Sequence, residues 1–151
     1  ILLFFMLIGG CSGSSSCGLK IFRLQILVSN TFSLIKKIIQ PRGVFIPTYN
    51  SKAINDEILT SVSGFFFLYI MIFSLLTLIL AFDGLDAITA LSGSAAALAN
   101  VGPGLGEVIG PSSNYSGISD FSKIFLSFAM LIGRLELYPV LMLLSPTFWR
   151  I

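Results

Sequence analysis

Glycine and proline end helices, so a chain carrying Ala97-Leu98-Ala99-Asn100-Val101-Gly102-Pro103-Gly104-Leu105-Gly106 between two strongly apolar segments must stop a helix in apolar surroundings. The alanine-rich part, residues 86–98, is 13 residues long. At about 1.5 Å per residue it reaches about 20 Å, short of the roughly 30 Å of a hydrocarbon core. It is therefore expected as a half-helix that enters a membrane and stops. Non-helical backbone at that depth is tolerated only where it is packed in protein or lines a watery path. Gly102, Gly104 and Gly106 permit positive φ and close approach, and Pro103 fixes φ without donating a hydrogen bond. The freed carbonyls can replace the hydration shell of an ion, and the half-helix points its negative dipole end at the same place.

Composition agrees with a membrane setting. Of 151 residues 55% are hydrophobic and 11% charged, against about 25% charged in soluble domains. A net charge of +2 with scattered lysines makes no nucleic-acid surface. Histidine is absent, which removes Ser-His-Asp and Cys-His catalysis and the commonest metal ligand. Neither an enzyme nor an organic cofactor is expected. Cys11 and Cys17, with five residues between them in a serine-glycine run, fit no zinc pattern or disulfide scaffold.

Residues 63–81 form a stretch of 19 without a charge, about 28 Å as a helix and long enough to cross. Asn55 is placed to cap the helix leading into it, with Asp56 and Glu57 in the first turn, and Asp86 to cap the half-helix. Residues 41–54, with two prolines, a β-prone Val44-Phe45-Ile46 and the turn signal Tyr49-Asn50-Ser51-Lys52, read as a surface connection with a hairpin. Residues 107–120 are a loop rich in glycine, proline and serine, and the last helix is expected over 121–144. Lys36, Lys37, Arg42 and Lys52 precede one span and Arg150 follows the other, which puts both end regions on the cytoplasmic side.

The segment 100–106, Ile132-Gly133-Arg134-Leu135-Glu136 and the closing Pro146-Thr147-Phe148-Trp149-Arg150 together resemble the Trk/Ktr/HKT superfamily of potassium transporters. The likeness is to the membrane subunits of bacterial Trk potassium uptake systems. It covers essentially the whole chain and implies an all-α, potassium-channel-like fold of helix–pore-loop–helix repeats. In that reading residues 1–40 are the filter loop and inner helix of the third repeat, and 41–54 a cytoplasmic connection. Residues 55–151 are the fourth repeat: outer helix 55–82, half-helix and filter 86–106, inner helix 121–144. Because Ile1 opens inside an apolar run with no charged segment before it, a C-terminal fragment is expected.

Three readings meet at Gly9-Gly10-Cys11-Ser12-Gly13-Ser14-Ser15-Ser16-Cys17-Gly18-Leu19-Lys20. Ile8-Gly9-Gly10-Cys11 fits a lipobox, which would make the chain a lipid-anchored or membrane-embedded scaffold without transport activity; a basic n-region is missing. Residues 13–20 give G-x-x-x-x-G-L-K, where a phosphate loop needs Lys directly after Gly. The third reading, a filter segment, is the one the resemblance implies, although Ser15 and Cys17 stand where the family commonly has Thr and Gly. Backbone carbonyls of Gly9, Gly10 and Cys11 then form one filter wall and those of Asn100, Val101, Gly102 and Pro103 another, with K+ as the substrate ion held there. Four such segments surround one axis, so this chain supplies two and needs the remaining repeats. The resemblance also implies a homodimer, a cytosolic nucleotide-binding regulatory subunit, lipid contact and a multi-pass place in the bacterial inner membrane. It further implies a third inner helix broken by a gating loop, for which the polar Ser29-Asn30-Thr31 within residues 19–39 is a suitable interruption.

Arg134 follows Asp120 by 14 residues, about 21 Å along the last helix and well inside the membrane. A guanidinium there costs at least about 2.5 kcal/mol, so it is expected to face the pore or the bundle and to find a partner. Glu136, about 200° around the helix, is no i,i+4 neighbour, so the partner should lie on another element. Pro139 is expected to bend the helix just below. Snorkelling of Arg134 to the surface is the plainer alternative. In the family an arginine at this motif is a gating element, an electrostatic barrier below the filter.

Overall fold

The computed structural model describes residues 2–10, 17–43, 45–49, 52–106 and 108–135. The long apolar stretch forms helix α3, Asp56–Phe82, 27 residues and thus about 40 Å long. Asn55 stands at its N-cap without a side-chain cap bond, and Asp56 and Glu57 occupy the first turn. Val62, Phe65, Tyr69, Leu76 and Leu80 make one buried stripe at helical spacing. Only 22% of its most apolar window is buried, and Phe67, Leu75 and Leu78 face outward at 72%, 53% and 57% exposure. A helix that is apolar on its outside as well as its inside suits a hydrocarbon solvent, not water.

The short helix behaves in the opposite way. α4, Ala87–Ala99, has ten of its 13 residues buried, and Ala90, Ala95, Ala96, Ala97 and Leu98 are completely inaccessible. Its small side chains let the neighbouring backbones come close. Asp86 caps it, the carboxylate accepting from the Ile88 N–H at 3.3 Å. The helix is held between α3 and α5, Asp120–Leu135. Gly133 of α5 lies so close that a Cβ there would run into the Leu98 carbonyl. The rest of the expected last helix, including Glu136 and Pro139, lies outside the described residues.

Ahead of this unit come α1, Leu2–Leu7, packed against α4, and α2, Ile21–Ile39. α2 corrects an expectation, for Ser29-Asn30-Thr31 does not interrupt it. Thr31 Oγ1 donates to the Leu27 carbonyl at 2.9 Å and Ser29 Oγ to the Thr48 carbonyl at 2.9 Å, so these hydroxyls are satisfied with the helix intact. α2 joins α3 through Ile26, Ile54 and Val62. There the Arg23 guanidinium lies 3.9 Å from the centre of the Phe65 ring. Between α2 and α3 a small hairpin pairs β1, Thr48–Tyr49, with β2, Lys52–Ala53, in antiparallel register Thr48↔Ala53 and Tyr49↔Lys52. The strand forms just after the β-prone run 44–46, and it is the sheet found among the described residues of an otherwise helical chain.

Candidate functional site

The backbone that leaves α4 is built to turn sharply without a broken donor. Asn100 adopts the left-handed conformation, φ 52° and ψ 41°, and its N–H reaches back to the carbonyls of Ala96 and Ala97. Val101 N–H follows, to the Ala96 carbonyl at 3.0 Å. The last turn is thus closed by the kind of αL cap that glycine or asparagine accepts. The Asn100 side chain ties the turn to the next helix, Nδ2 donating to the Met130 carbonyl at 3.0 Å.

Beyond the cap the chain is non-helical and exposed through Val101, Gly102 and Pro103, and Gly102 has φ +102°. A Cβ on Gly102 would meet nothing within 4 Å. The restriction at this position is therefore backbone conformation, not crowding from this chain. Gly104 turns back inward, its N–H on the Ile109 carbonyl at 2.8 Å. Ile109, 2% exposed, fills the space that Gly93 and Gly104 leave by lacking side chains.

Two polar side chains fix this loop, and neither was expected to. Ser92, fully buried on α4, donates from Oγ to the Leu105 carbonyl at 2.8 Å and accepts the Leu105 N–H at 2.9 Å. Tyr115, in a 3-10 turn Tyr115–Gly117, donates its hydroxyl to the Gly102 carbonyl at 2.6 Å. A tyrosine hydroxyl is protonated and a donor at neutral pH, and burial pushes the Tyr115 pKa further up. The sequence marks Ser92 only as small, and Tyr115 only as an aromatic residue in a polar loop.

The other glycine loop lies beside this one. Ile8 and Leu19 form a parallel bridge, with Gly9 N–H on the Leu19 carbonyl at 3.0 Å and Leu19 N–H on the Leu7 carbonyl at 3.1 Å. The Gly10 carbonyl accepts from Ile21 N–H at 3.3 Å, and Cys11 lies outside the described residues. Gly18, at φ +92°, comes so near that a Cβ would stand 3.6 Å from the Ala99 Cβ, which seats this loop against the end of α4. Arg134 spans the gap from α5. Its Nη1 is 3.9 Å from Cys17 Sγ, on another element, and Arg134 is exposed within this chain. No cluster of three or more His, Cys, Asp or Glu that could hold a metal ion occurs among the described residues.

Residues 1–151 match the family described as TrkH, cation transport protein. The Trk system potassium uptake protein TrkI of Halomonas elongata is 47% identical over 143 residues, covering 95% of this chain and 29% of the relative. TrkH of Vibrio parahaemolyticus, also named a Trk system potassium uptake protein, is 39% identical over 150 residues, 99% of this chain and 30% of its own length. The crystal structure of the potassium transporter TrkH from Vibrio parahaemolyticus superimposes with a TM-score of 0.87, covering 99% of this chain and 31% of that one.

Proposed function

The chain belongs to the TrkH family of cation transport proteins, and from that premise we propose that its two glycine loops are backbone-lined segments of a potassium path across the bacterial inner membrane. The chain spans less than a third of the length of the relatives it matches, so the path is proposed for the full-length protein containing it. There the two loops act with two further segments around one axis, in a multi-pass homodimer served by a cytosolic nucleotide-binding subunit.

The observation that carries this reading is the exit from α4. A buried helix of 13 residues ends in αL Asn100 and delivers Val101, Gly102 and Pro103 as exposed, non-helical backbone. Their carbonyls suit a desolvated monovalent cation, which needs several weak oxygen ligands and no fixed charge. Gly9, Gly10 and Cys11 are proposed for the facing wall, supported by the contact of Gly18 with Ala99. Arg134, reaching Cys17 just after that loop, is proposed as the gating residue. The scaffold alternative has no such support: Gly9 and Gly10 bond into the bridge with Leu19 and Ile21, and the family match includes the lipobox-like residues.

The test is potassium-dependent growth and K+/Na+ flux ratio of the full-length protein. Gly102→Ser forces a side chain onto a positive φ, a strain of order 1–3 kcal/mol that the loop relieves by turning a carbonyl. Flux or selectivity is expected to fall about tenfold; parental values at normal expression refute the filter. Arg134→Ala is expected to raise resting cation flux with the K+/Na+ ratio kept, and unchanged flux and regulation remove Arg134 from the gate.

A further inference from the structure

The peptide between Gly102 and Pro103 has an unusual weakness. Its nitrogen belongs to proline and carries no hydrogen, so the plane cannot be held from the N–H side. Its other flank is a glycine at φ +102° with open space around it, which resists rotation less than any residue with a side chain. The only polar handle on this plane is the Gly102 carbonyl oxygen, and Tyr115 holds it at 2.6 Å.

Tyr115 is itself held. It is half-buried against the main core cluster, the Asn114 carboxamide oxygen accepts the Ser116 N–H at 3.2 Å, and the Tyr115 carbonyl accepts from Ile118 N–H at 3.4 Å. The hydroxyl therefore has a fixed origin, 13 residues away in sequence from the oxygen it meets. A carbonyl oxygen has two acceptor lobes, so one bond to Tyr115 leaves the other for a cation.

Resting on the filter reading above, we propose that Tyr115 is a positioning residue for selectivity: its hydroxyl sets the rotation of the Gly102–Pro103 peptide plane and so the distance at which the Gly102 oxygen meets an ion. A loop oxygen free to swing adapts to ions of different radius. An oxygen held at one angle does not.

Tyr115→Phe keeps the ring and its packing and removes only the donor. In the full-length protein the K+/Na+ flux ratio is expected to fall roughly two- to tenfold, the worth of one hydrogen bond, with expression and thermal stability near the parent. Tyr115→Leu removes the ring as well. If Phe keeps the parental ratio and only Leu loses it, Tyr115 is a packing residue and the proposal falls; a Phe variant that loses flux at an unchanged ratio overturns it too. Should the Phe variant not accumulate, Asn114→Ala, which releases the turn carrying Tyr115, is read in the same way. Gly102→Ser separates the two claims. If it relaxes selectivity while Tyr115→Phe does not, only the positioning role fails; if neither does, the filter reading fails with it.

Discussion

The loop leaving α4 and the loop leaving α1 are both glycine-rich, yet they are secured by different means. The first follows a buried helix and is gripped by side chains from three directions: Ser92 on Leu105, Tyr115 on Gly102, and Asn100 reaching Met130. The second follows a helix of six residues with none buried, and its described residues are tied by backbone bonds at Gly9, Gly10 and Leu19. Its packing is borrowed, since Gly18 rests on Ala99 and Cys17 on Arg134. Side-chain clamps fix a loop inside its own unit, whereas backbone ties leave its position to the neighbour. Damage at the α4–α5 seam should therefore disturb both loops, and damage to a clamp only the one it holds.

Gly133→Ala should give the largest effect. Its Cβ would enter the Leu98 carbonyl and stand 2.9 Å from Asn100 Nδ2, and backbone atoms cannot move aside as a side-chain tip can. Overpacking of this kind costs about 3 kcal/mol or more. The expected outcome is loss of accumulation and of potassium-dependent growth. Gly84→Ala is the matching control, at φ +86° but with nothing within 4 Å, and should cost only about 1 kcal/mol. Equal behaviour of the two variants would show that the seam does not govern the loops.

Ser92→Ala comes next. It strands the Leu105 N–H and C=O in a part-buried place, at about 2 kcal/mol for the pair. Selectivity should relax because the loop backbone loses its anchor at Leu105, while resting cation flux, proposed to depend on Arg134 beside Cys17, stays as in the parent. A raised resting flux would mean that the clamp serves both loops.

How much of this was legible follows from the range of the forces involved. The long apolar helix α3, the short helix α4, the Asp86 cap and the glycine break at 102–106 depend on residues within a turn or two, and the residue types alone announce them. α2 was misread as interrupted because the hydroxyl of Ser29 is satisfied by Thr48, 19 residues on, which no local pattern shows. Ser92, Tyr115 and Gly133 act across 13 residues or more and look like an ordinary small, aromatic or flexible residue until the helices are packed. The positive φ expected of Gly102 is present, at +102°, with no atom of this chain within 4 Å of where a Cβ would stand.

The smallest effect concerns the far end of the same unit. Asp83, the C-cap of α3, accepts from Ser122 Oγ at 2.6 Å and from Ser119 Oγ, and Ser119 Oγ in turn accepts the Ser122 N–H at 3.2 Å at the start of α5. The hydroxyls of Ser119 and then Ser122 favour the ionised carboxylate and pull its pKa below the usual range, against a slight opposing push from desolvation. A carboxylate depressed in the folded state contributes stability above its unfolded pKa, about 3.9, and loses it as pH falls through the lower folded value. The α3–α5 fastening is thus complete at neutral pH and weakens only in strong acid. Melting temperature of the full-length protein in detergent should accordingly fall on acidification below about pH 4 by a little more in the parent than in Asp83→Asn. Asp120→Asn, which breaks an exposed i,i+3 pair with Lys123, should leave the melting temperature at neutral pH almost unchanged, because such pairs contribute about 0–1 kcal/mol. If Asp83→Asn follows the parental profile through that acid range, the serine bonds do not hold the charge, and α5 is fastened at its N-terminal end by packing alone.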